Sequence, residues 1–150
     1  MALARLAAFL RRHRRIALDT SVFVYQLEAN SRYVALTDQI FSWLEGPSGS
    51  AVTSTITMTE LLVQPYRAKD QSRVDEFFGL LSTFPNLEWL ALNLEIADRA
   101  AQLRAAHGLR TSDAMQAATA IHAGATGMVT NDPVFARAPG FETLVLDRLL

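Results

Sequence analysis

Four carboxylates, Asp19, Glu60, Asp113 and Asp132, each stand where an apolar run meets small hydroxyl residues, in the strings IALDTSVF, STITMTELL, LRTSDAMQAATA and MVTNDPVF. Their separations of 41, 53 and 19 residues are too long for one helix face. Only a fold that gathers remote segment ends could make them one site. Gathered, they would repel: two carboxylates about 4 Å apart cost about 4 kcal/mol at an effective dielectric near 20. Such a cluster calls for a divalent cation.

Each acid also has a purely structural reading. Asp19 before Thr20-Ser21 could form an Asx turn, and Asp132 before Pro133 could form a turn. Thr57 with Glu60 three positions on fits a capping box, and Asp113 could complement a helix N-terminus. Singly these readings match or outweigh a catalytic one. Their joint occurrence, an acid at every one of four polar breaks, is what favours a site.

The elements that must position them follow from periodicity. Ile16–Leu18, 50–54, Glu88–Leu92, Met128–Thr130 and Thr143–Leu146 are expected as strands. Helical spacing covers 21–29, 33–45, 71–83, 94–107 and about 111–123, with a left-handed cap expected at Gly108 and the last helix closing at Gly124. The capping box at Thr57 predicts a short helix that Pro65 ends or kinks. Strands alternating with helices argue for an α/β fold, a three-layer αβα sandwich on a mostly parallel sheet of about five strands. Ligands bind such sheets beyond the carboxyl ends of the strands, where Asp19 and Asp132 are expected.

Half of the 150 residues are hydrophobic and 19% are charged, as in an ordinary globular protein with one core. No cysteine is present, which excludes disulfides, thiolate metal sites and cysteine nucleophiles. Residues 1–15 carry five arginines and no acid, leaving the rest at a net charge of about −6. We read 1–15 as a basic N-terminal helical extension and 16–150 as the domain. Arginines after the apolar stretch are in the wrong order for a secretory signal, and no apolar run reaches the roughly 18 residues a membrane span needs. A cytoplasmic protein without a membrane partner is expected.

The chain resembles the PIN domain family of metal-dependent nucleases, most closely its VapC-type toxins. The resemblance covers residues 16 to about 146. It rests on Asp19-Thr20-Ser21 after the first strand, Glu60-Leu61-Leu62 followed by Pro65-Tyr66-Arg67, Ser112-Asp113-Ala114, and Thr130-Asn131-Asp132. It implies that Asp19, Glu60, Asp113 and Asp132 are catalytic and bind Mg²⁺ or Mn²⁺, with Ser21, Thr130 and Asn131 as supporting polar residues. It further implies RNA as substrate, a homodimer, and a small antitoxin as partner. Oxygen-only ligands also favour hard Mg²⁺ or Mn²⁺ over zinc. Arg67, Lys69, Arg110 and the N-terminal arginines are candidate phosphate contacts. A non-catalytic RNA-binding or protein-interaction module, or a phosphomonoesterase, are the alternatives. Motifs for nucleotide hydrolysis, serine hydrolysis and dinucleotide binding are missing.

Overall fold

The computed structural model describes residues 1–150. Its centre is a five-stranded sheet of β1 (Arg15–Leu18), β2 (Ser50–Ser54), β3 (Leu87–Leu90), β4 (Gly127–Thr130) and β5 (Glu142–Val145). Every pairing is parallel, in the order β3-β2-β1-β4-β5. The helices are α1 (Ala2–His13), α2 (Thr20–Leu27), α3 (Val34–Glu45), α4 (Thr55–Arg67), α5 (Gln71–Ser82), α6 (Leu94–His107) and α7 (Thr111–His122). Two 3₁₀ turns, Pro133–Arg137 and Leu146–Leu149, follow β4 and β5.

Alternation along the central strands divides the core into two layers. Ile16, Leu18, Ala51 and Val129 face a layer formed with Leu6, Phe9, Phe23, Ile40, Leu44 and Leu81 of α1, α2, α3 and α5. Ala17, Val52 and Met128 face the other, formed with Ile96, Leu103, Ala114, Ala117 and Ala118 of α6 and α7. Burial on both faces is why these strands read as continuous apolar runs instead of alternating ones. The result is the expected three-layer α/β sandwich.

Connections explain the layering. The chain steps outward from β1 to β2 to β3, then returns to the other side of β1 as β4. Right-handed crossovers in opposite directions place their helices on opposite faces. That reversal puts a topological switch point beyond the carboxyl ends of β1 and β4, the place where open parallel sheets bind ligands.

Two local expectations are corrected. The cap of α4 is Ser54, whose Oγ accepts from the Ile56 N–H at 3.2 Å, so Thr57 lies inside the helix and is fully buried. β2 runs straight into α4, and the first available hydroxyl takes the cap. Nor is the helix short: α4 has 13 residues and contains Pro65. A proline in the last turn forfeits only one internal hydrogen bond, and its ring is buried.

The basic N-terminal stretch forms α1, with Leu6, Phe9 and Leu10 in the core and the arginines outside. Gly127 opens β4 where α1 docks; a Cβ there would lie 2.7 Å from the Phe9 ring and 2.9 Å from His13. Gly108 closes α6 at φ 68°, the left-handed cap expected from the sequence. No helix is long and apolar enough to cross a membrane.

Candidate active site

Asp19 leaves the carboxyl end of β1 and is 7% exposed. Its Oδ1 accepts from Ser21 Oγ at 2.6 Å and its Oδ2 from Thr130 Oγ1 at 2.6 Å. Asp19 makes no strict side-chain cap to α2, but the Ser21 backbone N–H, two residues on, acts on its carboxylate as in an Asx turn, so that structural role accompanies the site geometry. Burial pushes the carboxyl from the ordinary 3.8 up to about 6, against the lowering effect of the Ser21 and Thr130 hydroxyls, and the nearby charge of Asp132 adds to the rise.

Thr130 joins the strands chemically. Leu18 pairs with Val129 across β1 and β4, so the residues that follow them are neighbours. The Thr130 hydroxyl donates to Asp19 and accepts the Asp132 N–H at 2.9 Å. Asp132 Oδ1 accepts from the Val134 N–H at 3.0 Å, so its turn-forming role is real and leaves the group half-buried at the rim. Asn131 ties the same turn down: its backbone N–H reaches Ser21 Oγ, its Nδ2 donates to Tyr25 Oη, and its Oδ1 accepts from the Asp147 N–H.

Glu60 lies on α4, where Thr20 Oγ1 donates to its Oε1 at 2.7 Å. It therefore hangs from the residue beside Asp19. Asp113, in the first turn of α7, faces Arg110 at 3.3 Å and is tied to none of the other three acids. Gln116, one turn further along α7, does reach the shared region through Thr57 and Thr20. Asp19 and Asp132 are thus brought together, Glu60 is attached to them through Thr20, and Asp113 stands at the same end of the sheet. No three acidic or histidine side chains are arranged as a finished metal cage.

The donor set nevertheless fits a hard divalent cation. It is all oxygen, and its central carboxylate is buried among hydroxyls with no cationic side chain bonded to it. Such a desolvated acid is the group a bound cation stabilises most.

The basic run is elsewhere. Arg15 begins β1, where Asp19 follows its end, and bonds Glu88 at 2.7 Å and the Ala123 carbonyl at 2.8 Å. Arg12 and His13 both bond Glu142, at 2.6 and 2.8 Å. These groups belong to the amino edge of the sheet, about 13 Å from the acids at 3.3 Å per residue. The N-terminal arginines are therefore not beside the acids, and Arg67 lies about 10 Å along α4 from Glu60 at 1.5 Å per residue. Only Arg110 adjoins a candidate acid. The sequence assigned no site role to Thr20, Thr53, Thr57 or Gln116: Thr20 stood beside Asp19 in IALDTSVF, Thr53 and Thr57 lay in the hydroxyl-rich stretch 53–59, and nothing marked Gln116.

An all-parallel α/β sandwich with acids at the switch point is the architecture of a domain that binds its ligand beyond the strand ends. The PIN domain family matches residues 16–140, and the chain belongs to that family. PIN domains are generally nucleases and typically use divalent metal ions. Solved structures with the same fold include a toxin-antitoxin complex from Klebsiella pneumoniae, 21% identical, covering 87% of this chain and 97% of that one at a TM-score of 0.63. VapBC-1 from nontypeable Haemophilus influenzae is 21% identical over 89% and 98% of the two chains, with a TM-score of 0.67. FitAcB from Neisseria gonorrhoeae is 24% identical over 87% and 97%, with a TM-score of 0.66. No curated protein sequence matches the chain at a significant level.

Proposed function

We propose that this chain is a Mg²⁺- or Mn²⁺-dependent endoribonuclease and the toxin of a toxin–antitoxin pair. The observation that carries this reading is the union of Asp19 and Asp132 through the Thr130 hydroxyl, at the switch point between β1 and β4. Asp19 and Asp132 would hold the primary ion, while Glu60 and Asp113 would complete the site and orient water. The ion, when bound, neutralises phosphate charge and lowers the pKa of water that it carries.

The chain's own groups do the rest. Ser21 and Thr130 spend their protons on Asp19, one on each carboxylate oxygen, and so fix its orientation. Asn131 locks the β4 turn against α2 and the C-terminal 3₁₀ turn, holding Asp132 in register with Asp19. Glu60, exposed at the rim, is free to accept a proton from water while Thr20 fixes one of its oxygens. Arg110, with its side chain 83% exposed, can leave Asp113 for a substrate phosphate.

Solved relatives in toxin–antitoxin complexes support a small antitoxin as partner. A homodimer and a cytoplasmic location belong to the same reading. Within 22–44, Val22, Phe23, Leu36, Ile40, Phe41 and Leu44 are buried in the chain's own core and are not free to form a dimer face.

The test is an RNA cleavage assay with and without Mn²⁺, on wild type, Asp19→Asn and Asp132→Asn. Cleavage should require the ion, and each substitution should cost more than the roughly 10–100-fold that outer partners of a metal site typically cost. RNA left intact by wild type, or equal cleavage by all three proteins, refutes the nuclease reading. Phosphate released from small esters without chain cleavage would instead establish a phosphomonoesterase.

A further inference from the structure

Behind Glu60 lies a buried polar chain that none of the acids explains. Gln116, Thr57 and Thr53 are 4%, 0% and 1% exposed and come from α7, α4 and β2. Gln116 Nε2 donates to Thr57 Oγ1 at 2.8 Å and approaches Thr20 Oγ1 at 3.5 Å. Thr57 and Thr53 hydroxyls are 2.8 Å apart, and Thr53 Oγ1 donates to the Leu18 carbonyl at 2.8 Å.

A threonine hydroxyl has one proton, so the directions are determined. Thr53 spends its proton on the Leu18 carbonyl, which can only accept. Thr57 must therefore donate to Thr53 and accept from Gln116. A reversed amide would set the Gln116 oxygen against a Thr57 oxygen whose proton is already used, so the nitrogen must face inward. Its second proton then points toward Thr20. Thr20 has a choice between Glu60 at 2.7 Å and Thr57 at 3.5 Å, and the shorter, charge-assisted bond prevails.

From this chain we infer that Gln116 is a positioning residue: its amide donates into the Thr57–Thr20 pair, turns the Thr20 proton outward, and so fixes the Glu60 carboxylate for the ion. The inference rests on the metal-nuclease reading of the same site. Gln116 touches no substrate. It acts through Thr20, across 96 residues of sequence.

The experiment is Mn²⁺ binding to the full chain, followed by electron paramagnetic resonance, with melting temperature and RNA cleavage recorded beside it. The variants are Gln116→Met, which preserves volume, Thr20→Val, the double variant, and Thr20→Ser. Gln116→Met and Thr20→Val should each weaken Mn²⁺ about tenfold, the scale for outer partners of a metal site. The double variant should be no weaker than Thr20→Val alone, because the two act in series. Thr20→Ser, which keeps the hydroxyl, should bind within about twofold of wild type.

Wild-type affinity in Gln116→Met, or a double variant about a hundredfold weaker, overturns the relay. Should Gln116→Met fail to fold, Thr20→Val still decides: at this half-buried position, unchanged Mn²⁺ affinity overturns the relay by itself. Wild type that binds Mn²⁺ but cuts no RNA removes the nuclease reading and leaves the relay standing. Wild type that binds no Mn²⁺ removes both.

Discussion

Asp19→Asn should make the metal-free protein more stable at neutral pH while weakening its function. The Asp19 carboxyl titrates near 6 in the fold, against an ordinary 3.8, chiefly because it is buried. With the folded value the higher one, the native state keeps the proton longer than the unfolded chain. Stability from this group is therefore complete below about pH 3.8 and is lost as pH rises to about 6. At 1.36 kcal/mol per pH unit the loss is about 3 kcal/mol at pH 7.5. Asparagine carries no charge to desolvate. Its NH₂ must face a hydroxyl already engaged with Asp19's neighbours, a mismatch that costs about 1 kcal/mol. The net gain is about 2 kcal/mol, or about 4–8 °C in melting temperature for a chain of this length. Differential scanning calorimetry in EDTA would measure it at pH 7.5 and at pH 4, where the advantage should vanish. Added Mn²⁺ should reverse the order at neutral pH, since an ion at 100 times its Kd stabilises wild type by about 2.7 kcal/mol and the variant by less. An Asp19→Asn protein less stable than wild type at pH 7.5 in EDTA, or a difference independent of pH, would refute the desolvation reasoning.

Two further outcomes concern α1. Deleting residues 1–13 removes Leu6, Phe9 and Leu10 from the core; at about 1.5–3 kcal/mol each, the loss approaches the whole stability of a typical domain, and the truncated chain should be insoluble or lack a cooperative melt. Gly127→Ala drives a Cβ to 2.7 Å from the Phe9 ring, so urea denaturation should show a loss of about 1–3 kcal/mol with the fold retained.

The sheet was legible because its central strands are buried on both faces: IAL, AV and MVT cannot be mistaken for amphipathic segments. Gly108 announced the end of α6 because only a left-handed residue satisfies the last carbonyls there. Asp19 and Asp132 were legible for a related reason, since each follows such a strand. The cap of α4 was not, because Thr57 and Glu60 have the local spacing of a capping box, and nothing local says that β2 joins the helix without a loop. Gln116 was invisible among alanines. Its partners are 59 and 96 residues away, and no periodicity encodes a contact that exists only after three segments converge.

Charge is distributed along the strand axis in a way that bears on substrate binding. At the amino edge, Arg12, His13 and Arg15 are neutralised by Glu142 and Glu88, and the two hydrogen bonds hold the Glu142 carboxyl below its usual range, Arg12 first and His13 second. At the carboxyl edge, Asp113 alone of the four acids is paired with a cationic side chain, Arg110. A polyanion approaching that rim meets repulsion that Arg110 cannot offset. The N-termini of α2, α4 and α7 all open there, at Asp19, Ser54 and Arg110, but each supplies only about half a positive charge. Under the proposed ribonuclease function, a substrate phosphate would be admitted on the terms of a divalent cation, so that binding, and not only cleavage, would depend on the ion.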